Sequence, residues 1–217
     1  MKTFIKKQEY NHIKKCLYDL NNTFRNCIDI NIIKANKEYI QDKILRIFPN
    51  LSEEEKNILD ISKINEPLYI DKYLAELNKY VYGMPIITNA QINKLFKKEK
   101  KLKLPNLNAQ NSKNVYLGWI DESIKKLFIA YNMNGNLIGM TCKIPNYSSS
   151  TSTHICSLCN HVGSNNEVAF VSSICRTSKG RYRSIGFDIC LDSKKCNDRI
   201  VNVEKLEKIL KNVNNRK

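Results

Sequence analysis

The first third of the chain repeats apolar side chains with a helical period. Phe4, Ile5, Ile13, Cys16, Leu17, Leu20, Phe24 and Ile28 recur at intervals close to three and four, which predicts an amphipathic helix over 4–28. A second stripe through Ile33, Ile40, Ile44 and Ile47 predicts another over 32–48. Pro49 closes it, because proline lacks an N–H and disfavours helix in the residue before it. Ser52 followed by Glu55 has the form of a capping box, opening a short helix through Ile58 and Leu59. Pro67 stands where a first helical turn tolerates it, ahead of Leu68, Ile70, Leu74, Leu77 and Val81. Four amphipathic helices with short joints predict an antiparallel four-helix bundle over 1–83.

Gly83-Met84-Pro85 breaks that pattern and sets a second domain at 84–217. Thr88 with Gln91 repeats the capping box and opens a helix through Ile92, Leu95 and Phe96, which runs into a lysine-rich stretch ending at Pro105. Beyond the polar residues 106–114 the pattern turns β-rich. Strands are predicted over 115–120, 126–131 and 137–142, the last two joined by a turn signal around Asn134-Gly135. Trp119 reads as a core anchor. Residues 168–171 and 182–189 predict a further hairpin, whose loop carries Arg176, Lys179, Arg181 and Arg183. A last helix follows Asn202 and places Val203, Leu206, Ile209, Leu210 and Val213 on one face. The expected class is α+β: a helical bundle, then an α/β domain with antiparallel strands.

Composition adds two facts. With 42% hydrophobic and 26% charged residues the chain is ordinary for a soluble globular protein. It has no transmembrane run and no apolar segment of an export signal near Met1, so a reducing, cytoplasmic setting is expected. The net charge of +15 is uneven. Residues 1–83 hold 14 Lys and Arg against 12 Asp and Glu, whereas 84–217 hold 22 against 9. The second domain therefore suits an acidic partner, either nucleic acid or a protein surface.

Four cysteines carry the clearest chemistry. Cys156-Ser157-Leu158-Cys159 and, some thirty residues on, Cys190 and Cys196 give a C-x2-C…C-x5-C pattern. One zinc ion, two disulfides or four buried thiols would each account for it. A reducing compartment favours zinc. A cysteine knuckle, a β-hairpin and two cysteines at the entry to a helix is the layout of a treble-clef zinc finger. Four thiolates fill a tetrahedron and leave no position for water, so the site is expected to hold one structural Zn2+. Cys142 and Cys175 stand alone in apparent strands, His154 and His161 flank the knuckle, and His12 with Cys16 makes only a two-ligand pair. No glycine-rich phosphate loop, H-E-x-x-H or G-x-S-x-G is present, and no enzymatic activity is expected.

The stretch 94–105 with its lysine run, Leu117-Gly118-Trp119, Cys156-Ser157-Leu158-Cys159, and 188–197 around Cys190 and Cys196 together resemble the FusB-type family, fusidic acid resistance proteins that bind elongation factor G. The resemblance spans about residue 90 to the C-terminus. It implies a C-terminal treble-clef-like domain that grips elongation factor G and frees it from a ribosome on which fusidic acid has locked it. The drug itself is left unchanged. The family's aromatic before the first cysteine falls at Ile155, and its lysine and tyrosine before the third fall at Ile185 and Asp188, with Phe187 adjacent. Ile209 stands where its final helix can carry an aromatic. Partner contacts are thus expected at Ile155, Arg181, Tyr182, Arg183, Phe187 and Ile209, in a monomer that touches no membrane. The competing expectation is an RNA-binding zinc module, with Tyr182 and Phe187 among the arginines as its footprint. A relative that binds the factor without conferring resistance is the third.

Overall fold

The computed structural model describes residues 2–100, 102–107, 113–145, 152–176 and 183–215. They divide into two compact units, Met1–Tyr82 and Gly83–Lys217. The first is mainly helical: β1 (Ile5–Lys6), α1 (Lys7–Asn26), α2 (Ile30–Leu45), α3 (Glu53–Ile58), α4 (Leu68–Leu77) and β2 (Val81–Tyr82). Ile13, Cys16, Leu17 and Leu20 line the buried stripe of α1 and share a core with Ile40 and Ile44 of α2 and Ile70, Leu74 and Leu77 of α4. The capping box opens α3 in both directions, with Ser52 Oγ accepting from the Glu55 N–H and Glu55 Oε2 accepting from the Ser52 N–H at 2.9 Å. That helix has six residues and buries none of them.

Two sequence expectations are corrected here. Residues 4–6 are not helical. Ile5 and Lys6 pair in parallel with Val81 and Tyr82, and the Phe4 N–H reaches the Tyr80 carbonyl at 3.0 Å. The helix expected over 32–48 instead spans Ile30–Leu45.

In the second unit α5 (Asn89–Leu95) is opened by the Thr88–Gln91 capping box. Then follow β3 (Leu117–Asp121), β4 (Lys126–Met133), β5 (Asn136–Lys143), β6 (Thr153–Ile155), β7 (Val162–Ser164), β8 (Val168–Ile174), β9 (Ser184–Cys190), α6 (Ser193–Asn197) and α7 (Glu204–Asn214). Five of the strands form an antiparallel sheet ordered β3-β4-β5-β8-β9, and β6 pairs only with β7. The β4–β5 turn is tight because Asn134 and Gly135 both take positive φ, 50° and 82°, the combination a two-residue hairpin needs.

Alternation along β4 shows why this sheet is buried on both faces. Leu127, Ile129, Tyr131 and Met133 join the core that also holds Leu206, Ile209, Leu210 and Val213 of α7. Phe128 and Ala130 point the other way, into a second core with Ile92 and Phe96 at α5. Trp119 belongs there too, stacked on Phe128 at 5.1 Å and edge-on to Phe96, with its indole N–H donating to the Lys103 carbonyl. Replacing Phe128 by alanine should therefore cost about 3–5 kcal/mol of stability. The midpoint of chemical denaturation, followed by the fluorescence of the chain's single tryptophan, checks this.

Candidate metal centre

The ligand cysteines sit on three short elements. Between β6 and β7 the chain turns through Cys156-Ser157-Leu158-Cys159, and Asn160 takes a left-handed φ of 58° that asparagine tolerates. The turn is closed by two backbone bonds, Asn160 N–H to the Cys156 carbonyl at 2.9 Å and Cys156 N–H to the His161 carbonyl at 2.8 Å. Cys190 is the last residue of β9, in register with Val168 of β8. Asp192 then caps α6 by accepting from the Lys195 N–H, and one turn of that helix presents Cys196. The β8–β9 hairpin is thus the arm that returns the second pair to the first.

The sulfurs converge. Cys156 Sγ lies 3.9 Å from Cys196 Sγ, Cys159 Sγ lies 3.5 Å from Cys190 Sγ, and all four fall within 4.8 Å of one another. Tetrahedral zinc with bonds of about 2.3 Å needs sulfurs about 3.8 Å apart, whereas a disulfide needs about 2.05 Å. The donor set therefore fits one tetrahedral ion, held by Cys156, Cys159, Cys190 and Cys196. Bound there, zinc would cross-link the knuckle, the end of β9 and α6. Crowding already separates the thiols. Hydrogen bonds from Cys159, Cys190 and Cys196 lower Cys156, and those with Cys156, Cys159 and Cys190 raise Cys196. The Cys190 N–H also points at Cys156 Sγ, 3.4 Å away.

Two conspicuous sequence features find their reason beside this cluster. Asn197, next to the last ligand, is buried and clamps the start of β3: its Oδ1 accepts from the Val115 and Tyr116 N–H groups, and its Nδ2 donates to the Tyr116 carbonyl. Ser193 Oγ donates to the Gly118 carbonyl at 2.7 Å, and a Cβ on Gly118 would come within 2.8 Å of Ser193 Cβ. Glycine at 118 is thus the condition for α6 to lie on β3. Tyr116 is 1% exposed, and its hydroxyl has no well-formed hydrogen bond although it sits beside the Cys196 sulfur. Burial first, and then that thiol, push the phenol far up, so the hydroxyl keeps its proton.

The other candidates divide sharply. His154 Nδ1 contacts Asp188 Oδ1 at 2.8 Å and His161 faces Glu167, so both histidines are engaged by carboxylates outside the cluster. Burial pushes the Cys142 thiol up to about 12. In the first unit, burial and then the charges of Lys43 and Lys15 lower His12, surroundings that disfavour a cation. Ile155 is 58% exposed and lies across from Val162, also exposed, which the sequence reading passed over because three-residue strands carry little periodicity. Arg183 is exposed, whereas Arg181 and Tyr182 lie outside the described residues. Phe187 and Ile209 are each only 7% exposed and belong to the core between the sheet and α7.

A two-cysteine knuckle, a hairpin and a short helix that aim four thiols at one point define the layout of a treble clef, with a four-cysteine site that suits zinc. Residues 87–215 match the family model described as the FBP C-terminal treble-clef zinc-finger. The chain belongs to that family. Residues 4–85 match the model described as elongation factor G-binding protein, N-terminal. Among solved structures the chain is similar to the fusidic acid resistance protein FusC, with 26% identity, a TM-score of 0.79 and 97% of each chain covered. No curated protein matches it.

Cys159→Ser or Cys190→Ser should abolish stoichiometric zinc and unfold the second unit, since structural zinc supplies about 10–16 kcal/mol, comparable to the whole stability of a domain. Metal analysis and Trp119 fluorescence read both effects. Tyr116→Phe, which deletes only the hydroxyl, should leave the fold intact and weaken metal retention about tenfold in a chelator competition.

Proposed function

We propose that this protein binds elongation factor G through its zinc-finger unit, promotes release of the factor from a fusidic acid-stalled ribosome, and so protects translation from the drug. The observation that carries this reading is the likeness to FusC, which extends over 97% of both chains. The N-terminal match to an elongation factor G-binding family model supports it independently. The protein acts by binding alone, as a monomer in the cytoplasm, and changes neither drug nor factor chemically. Four thiolates leave a bound zinc no open position, and the Cys142 thiol is too buried and too basic to serve as a nucleophile. No described helix is long and apolar enough to cross a membrane.

The contact surface is placed at the tip of the β6–β7 hairpin. Ile155 and Val162 are cross-strand neighbours there, 58% and 55% exposed, on a turn that the cysteines hold rigid. An apolar pair presented on a fixed element, in a unit with 22 basic against 9 acidic residues, suits a partner that offers an apolar pocket within an acidic surface.

The test is retention of the purified, nuclease-treated protein on immobilised elongation factor G. Stoichiometric retention is expected, and Ile155→Asp should weaken it at least tenfold while zinc content stays unchanged. No retention of the unaltered protein would sink the reading. Fusidic acid susceptibility of a sensitive host expressing the protein then separates protection from mere binding.

A further inference from the structure

The sheet carries a feature unrelated to the cysteine cluster. β5 and β8 pair only at Cys142 with Ser173 and at Lys143 with Ser172. Past Cys142 and Ser173 the strands part, and a cleft of about 840 Å³ opens, reaching from Gly139 and Thr141 on β5 to Ile174 and Arg176 beyond β8. The opening is built into the fold. The end of α7 ties both walls, with Asn214 Nδ2 donating to the Gly139 carbonyl at 3.1 Å and the Arg176 N–H donating to the Val213 carbonyl at 2.7 Å.

Five cations line this cleft, from four different places in the chain: Lys97 and Lys98 after α5, Lys126 on β4, Lys143 on β5, and Arg176. The one lining carboxylate among the described residues, Glu99, is taken by Lys126 at 2.7 Å. Lys97, Lys98, Lys143 and Arg176 are exposed and make no ion pair among the described residues. Like charges converging on a recess repel one another unless an anion joins them. The outward-facing row of β8 continues from this cleft through Ser172 to Phe170, whose ring lies over Gly186 and is 43% exposed.

We propose that the cleft and this open strip of sheet bind single-stranded RNA, with phosphates at Lys97, Lys98, Lys143 and Arg176 and a base against Phe170. One feature favours a phosphodiester chain over an acidic protein. A cationic groove that leads to an exposed aromatic on a sheet face is the arrangement that takes a single strand, its backbone held by charge and a base by stacking. With no further aromatic exposed in the cleft among the described residues, recognition is of the backbone and tolerant of sequence. The site stands apart from the β6–β7 tip and does not depend on the elongation factor reading.

The experiment is fluorescence anisotropy with a labelled short single-stranded RNA of mixed sequence and the full-length protein, across a salt series. Four phosphate contacts predict a log–log salt slope of about −3, at about −0.7 per contact on a single strand. The double variant Lys98→Gln/Lys143→Gln should flatten the slope by about 1.4. Phe170→Ala should weaken binding about tenfold with the slope unchanged. The variants should keep their zinc and their retention on elongation factor G. The proposal is overturned if the oligonucleotide does not bind at low salt or if the double variant leaves the slope unaltered. It is equally overturned if that variant loses the elongation factor and keeps the RNA, which would make the cleft part of a protein interface.

Discussion

Everything in the second unit depends on four sulfurs meeting at one point. Thiols this close cannot all ionise without a cation between them, and with a divalent ion they become the strongest cross-link the chain has. The elements joined in this way are small: a knuckle between two three-residue strands, the end of β9, and a five-residue helix. The constraint then spreads by ordinary hydrogen bonds. Asn197, adjacent to the last ligand, fixes the start of β3, and Ser193 fixes Gly118. Through β3 the metal site therefore reaches Trp119 and the core around Phe128.

Much of this was legible in the residues. The cysteine spacing named the ligands, because ligand geometry depends on local turns that sequence encodes directly. Both serine and threonine capping boxes and the Asn134-Gly135 turn were legible for the same reason. Gly118 and Asn197 stood out in the motifs, but their role depends on α6 lying against β3, which no local pattern reveals. Phe187 and Ile209 teach the opposite lesson. Ile185, Phe187 and Ile189 alternate with Ser184, Gly186 and Asp188, so period two already places Phe187 inward, and Ile209 lies on the apolar stripe of α7. Resemblance to a family's contact positions argued for exposure where periodicity argued for burial, and periodicity was right. The short β1–β2 ladder escaped notice because two-residue strands leave no period to detect.

The metal site and the surfaces divide the labour. In the proposed reading the thiolate site contributes rigidity: a partner meeting Ile155 and Val162 would find them already ordered, which lowers the entropic cost of association. The excess positive charge of the unit adds steering. Part of that charge is gathered in the cleft where β5 and β8 part.

Whether the four sulfurs hold one metal ion is the question on which the rest turns, and X-ray absorption at the zinc edge of the purified protein answers it most directly. The account predicts a single shell of four sulfur neighbours at about 2.3 Å, with no nitrogen or oxygen ligand. A mixed shell that includes histidine or water, or protein that purifies folded without zinc, would contradict it.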